Sequence, residues 1–279
     1  MLLTWIHESA RRRYRSLGFQ SRTLETSVGT LHAFVREGRV NDGTVVLVHG
    51  IGTSSNTWIR TIPRIADSRR IIALDLPGFG FSTVHGAEGF ASFREHLNAM
   101  SEFLSGVDGP SLTLVGHSFG GWLAASYAAA NPDRVRHLVL VNSVGIYFRG
   151  IEQLRAMFML ESVGETKDLL NKMWYRYPWY LRPFSAAIFR ELQRRHVNQL
   201  VASIVADDLL VEQLERLTMP VSLIWGRRDG IVPLEVVDSL LRLVPRAHVS
   251  FIEQCGHVPQ LERPGQFAEQ LNRALLRIP

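Results

Sequence analysis

Residues Leu112–Tyr127 have the sequence LTLVGHSFGGWLAASY. A short run of leucine, threonine and valine ends at Gly116, and a helical pattern of small residues begins directly after Ser118. This order predicts a strand, a sharp turn with Ser118 at its apex, and a helix. A strained turn at a helix N-terminus lifts the serine hydroxyl clear of the backbone, where the N–H of Phe119 can help to stabilise an oxyanion. The stretch therefore indicates that Ser118 is a nucleophile.

A serine nucleophile needs a base within hydrogen-bond reach and a third group that orients the base. Residues 220–229 predict a buried strand followed by a loop that carries Asp229, and residues 248–257 predict a strand followed by a loop that carries His257. Both side chains follow the carboxyl end of a strand, which is where open parallel sheets place their sites. The order serine, aspartate, histidine is the order that a nucleophile elbow uses. We therefore predict that Ser118, Asp229 and His257 form a catalytic triad.

These landmarks and an upstream motif resemble the α/β-hydrolase superfamily over nearly the whole chain. The sequence VVLVHGIG at Val45–Gly52 is similar to the strand and His-Gly-x-Gly turn of that superfamily. The resemblance implies that the N–H of Ile51 is the second oxyanion donor, beside that of Phe119. It also implies an esterase- or lipase-like serine hydrolase with an eight-stranded, mostly parallel sheet, helices on both faces, and a helical cap inserted after the sixth strand.

The cap is expected where the alternation of strands and helices stops. From Ser143 to Leu217 only helical segments are predicted, so we assign residues 145–217 to the cap and residues 1–144 and 218–279 to the α/β core. Large apolar side chains are frequent in the cap, which favours an apolar pocket over the serine. The predicted substrate-binding residues are Trp122, Phe148, Phe158 and Trp174.

Hydrophobic patterns predict the remaining elements of the core. Strands are predicted over residues 23–27, 31–35, 44–49, 70–74, 112–115 and 137–141. Helices are predicted over residues 2–17, 58–67, 91–106, 119–130 and 265–277. The last four of these strands are apolar without alternation, which is typical of strands buried on both faces.

Composition limits the class of protein. A chain of 279 residues that is 46% hydrophobic fits one large α/β domain with an insertion. No apolar run is long enough to span a membrane, and the residues after Met1 become polar too soon for a signal-peptide core. Cys255 is the only cysteine and is interpreted as a small buried side chain. We therefore expect a cytoplasmic protein.

The formal net charge of +5 comes mainly from scattered arginines. No nucleic-acid motif accompanies them, so nucleic-acid binding is not expected. The one basic cluster, RRRYR at Arg11–Arg15, lies in the predicted amphipathic helix over residues 2–17. Two interpretations of this helix stay open: weak contact with a membrane surface, or docking on its own domain with a solvated basic face.

Several other polar residues could belong to a site. Asp75 also ends a strand, but it precedes the serine in the chain and is interpreted as part of a structural turn. Asn142 follows the sixth strand, where some members of the superfamily carry their acid; an amide cannot stabilise an imidazolium, so Asp229 remains the acid. His49 and His117 are interpreted as structural. The sequence has neither a metal-ligand cluster nor a phosphate-binding glycine loop, so we expect no metal and no cofactor.

The leading functional prediction is hydrolysis of a small carboxylic ester with an apolar acyl or alkyl part, through an acyl-enzyme. Hydrolysis of a carbon–carbon bond, lactone or thioester cleavage, and acyl transfer remain alternatives on the same triad. Carbon–carbon bond hydrolases of the superfamily usually show a longer glycine-rich turn than Gly50-Ile-Gly52 and an aromatic residue where this chain has Val258. A ligand-binding protein that retains the fold without turnover is the alternative of another class.

Overall fold

The computed structural model describes residues 2–39, 43–65, 69–86, 89–109 and 111–277. Within these residues, eight strands form one sheet in the order β1-β2-β4-β3-β5-β6-β7-β8. Strand β2 is antiparallel to its neighbours β1 and β4, and all other neighbouring strands are parallel. The strands are β1 Gln20–Glu25, β2 Thr30–Arg36, β3 Thr44–Val48, β4 Arg70–Leu74, β5 Leu112–His117, β6 Val135–Val141, β7 Val221–Gly226 and β8 His248–Ile252.

Helices connect the strands and cover the sheet. The α-helices in the described part of the chain are α1 Leu2–Ser16, α2 Phe93–Ser105, α3 Phe119–Ala130, α4 Ile151–Phe158, α5 Val163–Met173, α6 Ser185–Arg194, α7 Val197–Ser203, α8 Glu212–Glu215, α9 Leu234–Leu243, α10 Pro259–Glu262 and α11 Pro264–Leu275. Short 3₁₀ helices occur at Ser55–Trp58, Ile62–Arg64, Trp179–Phe184 and Ala206–Asp208. The predicted fold class, a mostly parallel eight-stranded sheet with helices on both faces, is confirmed.

The central strands are buried on both faces because each face packs against its own apolar layer. In β3, Val46 and Val48 belong to one hydrophobic cluster, whereas Val45 and Leu47 belong to the other. Successive side chains of a strand point to opposite faces, so a strand between two helical layers must be apolar at every position. This is the physical reason why these strands show no polar alternation.

Helix α1 packs on the sheet through its inward side. Ala10 and Tyr14 are buried; the Tyr14 ring stacks on that of Phe34 at 4.0 Å between centroids, and its hydroxyl donates a 2.7 Å hydrogen bond to the Ser55 carbonyl. The side chains of Leu3 and Ile6, in the first two turns of the same helix, lie outside the described residues. Arg12, Arg13 and Arg15 are exposed. Among the described residues, no helix has the length and apolar character to cross a lipid bilayer.

The helix predicted over residues 58–67 is wrong. The structure has 3₁₀ turns at Ser55–Trp58 and Ile62–Arg64 instead, and residues 66–68 lie outside the described part. Pro63 explains the difference, because proline has no N–H for the bond to residue 59 that a continuous α-helix would need. Proline is tolerated in the first turn of a helix, and Pro63 has that position in the 3₁₀ helix Ile62–Arg64. The C-terminal helix, predicted over residues 265–277, ends at Leu275 in the structure.

Residues 142–220, all of which are described, contain helices and turns but no strand. We refer to residues 145–217 as the cap segment. The segment contacts the carboxyl-end loops of the sheet: the N–H of His257 donates to the carbonyl of Met173 at 2.7 Å. The cap segment therefore lies over the carboxyl-terminal end of the sheet, where the loops after β5, β7 and β8 meet.

Candidate active site

Ser118 lies at the apex of the turn between β5 and α3. Its backbone is in an unusual conformation, with φ 52° and ψ −120°, that side-chain-bearing residues adopt at an energetic cost. The backbone around the turn is closely packed. A Cβ at Gly116 would collide with the carbonyl oxygen of Gly120, and a Cβ at Gly120 would collide with the carbonyl oxygen of His49. The N–H of Ser118 donates to the Val141 carbonyl at 2.9 Å, which ties the apex to β6. The two glycines are therefore required by close backbone packing.

Asp229 and His257 meet after the ends of β7 and β8. Oδ2 of Asp229 lies 2.8 Å from Nδ1 of His257, and both side chains are almost fully buried. Oδ1 accepts the N–H groups of Ile231 and Val232 at 2.8 and 3.0 Å, and Oδ2 also accepts the side-chain amide of Asn142 at 2.6 Å. These donors stabilise the ionised carboxylate. A carboxylate at Nδ1 favours the tautomer with its proton there, so Nε2 is left to accept a proton.

His117, the residue before the serine, connects the elbow to the histidine loop. Its Nε2 donates to the main-chain carbonyl of His257 at 2.7 Å, and the two rings lie 5.0 Å apart between centroids. Burial, and then repulsion from His257 whenever that ring is protonated, hold the pKa of His117 well below its usual value, so His117 is a neutral donor. The loops that carry Ser118 and His257 are thereby joined directly.

The turn after β3 lies beside the serine. Ile51 and Phe119 line the same cavity as Ser118. Phe119 is the first residue of α3, so its N–H has no acceptor within the helix. His49 supports the turn: its Nδ1 donates to the Gly50 carbonyl at 2.8 Å, and its Nε2 accepts the Leu76 N–H at 2.9 Å. Burial lowers the pKa of His49 to about 4, so its ring is neutral.

A cavity of about 470 Å³ extends from Ser118 beneath the cap segment. Three of the four predicted pocket residues, Trp122, Phe148 and Phe158, line it. Trp174 is not among the lining residues; it is half-buried, with its ring 6.5 Å from that of Tyr177. The difference arises because Trp174 follows α5 in the part of the cap segment that packs against Gly256, beside the histidine loop.

Many of the residues that line the cavity were not predicted from the sequence. Cap residues Ile151, Leu154 and Phe158 line it from α4, together with the polar Glu152 and Arg155. Ile151 and Leu154 precede the predicted Phe158 at the spacing i, i+3 and i+7, which places the three residues on one face of the helix and could have identified the two that were missed. Others come from loops and α7, where no periodicity marks them: Val144, Gly145, Ile146, Tyr147, Val201, Ala202, Ile204, Val205, Ala206 and Leu209.

Asp75, the rival acid, lies in a separate buried network. It accepts N–H groups from Ser55 and Phe81 at 2.8 and 3.1 Å, and its Oδ2 lies 2.8 Å from Nδ1 of His32. Burial acts to raise the pKa of Asp75, but hydrogen bonding and the charge of His32 outweigh it and hold the pKa below its usual value. His32 Nε2 in turn lies 3.1 Å from the Ser21 hydroxyl. A second Ser-His-Asp chain of hydrogen bonds therefore exists at β1 and β2.

Two further possibilities, a reactive Cys255 and a metal site, gain no support from the described residues. Cys255 is fully buried, and burial raises the pKa of its thiol. Within the described residues, no group of three or more His, Cys, Asp or Glu side chains could hold a metal ion.

Comparison with known proteins identifies the family of the chain. The alpha/beta hydrolase fold family matches residues 43–218. The chain is 30% identical over 246 residues to a 2-hydroxy-6-oxo-2,4-heptadienoate hydrolase of Pseudomonas putida, covering 82% of this chain and 87% of that protein. It is 27% identical over 253 residues to a pimeloyl-[acyl-carrier protein] methyl ester esterase of Aliivibrio salmonicida, covering 86% and 94%.

Among solved structures, a putative lipase from Acinetobacter baumannii superimposes with a TM-score of 0.83 at 24% identity, covering 98% of this chain and 96% of that one. At that identity the likeness concerns the fold alone. The family match covers more than half of the chain, and the Pseudomonas relative is similar over most of its length. The chain therefore belongs to the α/β-hydrolase family.

Proposed function

We propose that this protein is a serine hydrolase that cleaves carboxylic esters with an apolar acyl or alkyl part. The observation that carries the proposal is the position of Ser118 in the wall of an apolar cavity, at the edge of the sheet where His257 and Asp229 are hydrogen-bonded. A serine in a strained elbow, a histidine and a buried carboxylate are the three groups that acyl transfer to serine requires.

In the proposed mechanism, Oγ of Ser118 attacks the ester carbonyl carbon while Nε2 of His257 accepts the hydroxyl proton. The N–H groups of Ile51 and Phe119 stabilise the negative charge on the carbonyl oxygen, and Asp229 stabilises the imidazolium. Collapse of the tetrahedral intermediate breaks the bond to the alcohol oxygen, which takes the proton from His257. Water then releases the acid from the acyl-enzyme by the same sequence of proton transfers.

The cavity supports an apolar substrate. Its walls include the aromatic rings of Phe119, Trp122, Phe148 and Phe158. An acyl chain buried there leaves water, and each methylene contributes about 0.8 kcal/mol, or close to fourfold in kcat/KM, until the cavity is full. We therefore propose a preference for short-to-medium chains.

Carbon–carbon bond hydrolysis is a second candidate. It is favoured by the 30% identity to the heptadienoate hydrolase and by the presence of Arg155 among the lining residues, because a guanidinium is a carboxylate-binding group. The apolar character of the other walls and the Val258 side chain after the histidine favour the ester instead.

One experiment separates these functions. We would measure kcat/KM for p-nitrophenyl esters from acetate to palmitate, and for a 2-hydroxy-6-oxo-dienoate. A rise with chain length to a maximum at medium chains supports the proposal. A flat profile, a maximum at palmitate with activation above its aggregation threshold, or faster cleavage of the dienoate than of every ester would refute it.

Two variants test whether the cavity sets the chain-length preference. Phe158→Ala enlarges the cavity and is expected to shift the maximum to longer chains. Trp174→Ala removes an aromatic side chain of the same segment that is not among the lining residues, and the shape of the profile should stay unchanged.

A further inference from the structure

Part of the cap segment exposes aromatic side chains instead of burying them. In the 3₁₀ helix Trp179–Phe184, Trp179 is 78% exposed, Tyr180 53% and Phe184 40%. The same stretch buries Tyr177 and Ser185 at its two ends, so it is packed on the protein while these three rings face outward. Exposed apolar patches of this kind mark interaction surfaces.

Basic residues flank the exposed rings along the chain. Arg176 and Arg182 are exposed, and residues 169–190 also contain Lys172 and Arg190 but neither aspartate nor glutamate over 22 positions. No carboxylate of the described residues forms an ion pair with Arg176 or Arg182. We call the surface formed by Arg176, Trp179, Tyr180, Arg182 and Phe184 the aromatic–arginine face.

We propose that the aromatic–arginine face docks on a lipid bilayer that contains anionic phospholipids. Trp and Tyr side chains favour the level of the lipid headgroups, because an apolar ring and a polar N–H or O–H are both satisfied there. Arginines at the same surface gain electrostatic energy from negatively charged headgroups. The combination of exposed rings with arginines that form no ion pair to a carboxylate of the described residues matches this partner in both respects.

A second copy of the chain fits the face less well. In a two-fold dimer the same patch meets itself, so the arginines of both copies, Arg176 and Arg182 from each, would be brought into one interface. Like charges placed opposite each other in an interface cost free energy. An anionic membrane supplies the missing counter-charge.

The face is firmly attached to the site. Just before it, the Met173 carbonyl accepts the N–H of His257 at 2.7 Å, and the Glu262 carboxylate accepts the N–H groups of Tyr175 and Arg176 at 3.2 and 3.3 Å. The aromatic rings therefore project from a segment hydrogen-bonded to the histidine loop. A bilayer bound there would lie against the cap, close to the loops that form the site.

Helix α1 is the competing basic surface. Its Arg12, Arg13 and Arg15 are exposed, but its Ala10 and Tyr14 are buried against the sheet. The described side chains of α1 provide positive charge but no exposed apolar surface. Substitutions in the two surfaces therefore distinguish them.

The test is co-sedimentation of the full chain with vesicles of phosphatidylcholine alone or of phosphatidylcholine containing phosphatidylglycerol. Native protein should bind the anionic vesicles more tightly, and salt should weaken binding. Trp179→Ser, Tyr180→Ser and Phe184→Ser together should lower partitioning roughly tenfold on either vesicle. Arg176→Gln with Arg182→Gln should lower it on the anionic vesicles by roughly fivefold for each arginine.

The matched control replaces Arg12, Arg13 and Arg15 by Gln and should retain nearly native binding. Hydrolysis of a soluble short-chain ester and the thermal unfolding midpoint report whether each variant folds; if the triple aromatic variant does not, Trp179→Ser alone and the arginine pair carry the test. Failure of native protein to bind anionic vesicles, undiminished binding by the face variants, or loss of binding in the α1 control would overturn the proposal. A dimer in solution that the aromatic substitutions convert to a monomer would assign the face to self-association instead.

Discussion

The side-chain amide of Asn142 donates a 2.6 Å hydrogen bond to Oδ2 of Asp229, the same oxygen that lies 2.8 Å from Nδ1 of His257. Asn142 follows β6 in a left-handed conformation, with φ 44°, which asparagine tolerates better than most residues. Its Oδ1 also accepts the N–H of Gly226 at 3.3 Å. Asn142 therefore positions the carboxylate that follows the neighbouring strand.

We predict that Asn142→Ala lowers kcat for a short-chain p-nitrophenyl ester by roughly tenfold or more, because a hydrogen bond to a charged group contributes about 1.5–3 kcal/mol. Asn142→Asp should lower kcat further. Two adjacent carboxylates would share a proton, so Asp229 would orient His257 and stabilise its imidazolium less well. Unchanged kcat in both folded variants would show that Asn142 does not position Asp229.

Ser118→Ala should lower ester turnover by roughly 10⁴-fold while leaving the protein folded. Ser21→Ala is the matched control, because Ser21 also lies in a Ser-His-Asp chain of hydrogen bonds but is not among the residues that line the cavity. Mass spectrometry after treatment with a fluorophosphonate should find the label on Ser118 alone. A label on Ser21, or activity in Ser118→Ala, would contradict the assignment.

Asp229→Asn is expected to lower kcat on the order of 10⁴-fold, because an amide favours the wrong tautomer of His257. Asp75→Asn should instead lower the free energy of unfolding, since Asp75 is fully buried and accepts bonds from Ser55, Phe81 and His32. Urea unfolding and ester kinetics on both purified variants measure the two effects. The reverse result would make Asp75 the acid of the site.

Glu262 is expected to position the histidine loop from outside the cavity. Its carboxylate accepts the N–H groups of Gly256, Tyr175 and Arg176 at 2.8, 3.2 and 3.3 Å, which joins the loop before His257 to the cap segment. Glu262→Gln replaces one accepting oxygen by a donor. We therefore expect kcat to fall several-fold, by no more than about tenfold, with little change in KM.

The control for Glu262 is Glu269→Gln. Glu269, in the next helix α11, forms an exposed ion pair with Arg273, and exposed pairs contribute little to stability. Its kinetics and unfolding midpoint should match those of the native protein. Equal kinetics in Glu262→Gln and Glu269→Gln would exclude the positioning role.

Buried histidines make stability depend on pH. Burial lowers the pKa of His49, His96 and His137 to about 4, whereas the unfolded value is close to 6.5. Between these values the unfolded chain binds more protons, so stability is fully present above about pH 6.5 and is lost as the pH falls towards 4. The slope is at most about 1.4 kcal/mol per pH unit for each histidine.

Urea unfolding at several pH values measures that slope. His137→Gln should reduce the slope below pH 6.5, whereas His85→Gln should leave it unchanged, because the His85 side chain is 60% exposed. An unaltered slope in His137→Gln would show that this ring does not remain neutral in the folded protein.

Local sequence determined the elements around the site. The helix predicted over residues 119–130 has those bounds in the structure, and the sharp turn at Ser118 has the expected strained backbone. Both follow from features within a few residues of one another: apolar periodicity, glycines at a close approach, and a proline after the helix. Where local features compete, as with Pro63 in the predicted helix over 58–67, the same reasoning produced the wrong element.

Only the tertiary structure decided which of these residues meet. The order Ser118, Asp229, His257 is visible in the sequence, but the bonds that join Asp229 to His257 and to Asn142 span 28 and 87 positions. They exist because β5, β6, β7 and β8 are neighbours in the sheet and their carboxyl ends share one edge. Likewise, the apolar composition of the cap segment predicted a pocket, yet the packing of its helices placed Phe158 in the wall and Trp174 outside the lining residues. Hydrophobicity favours burial without specifying the partner, so which apolar side chains face the serine depends on contacts between distant parts of the chain.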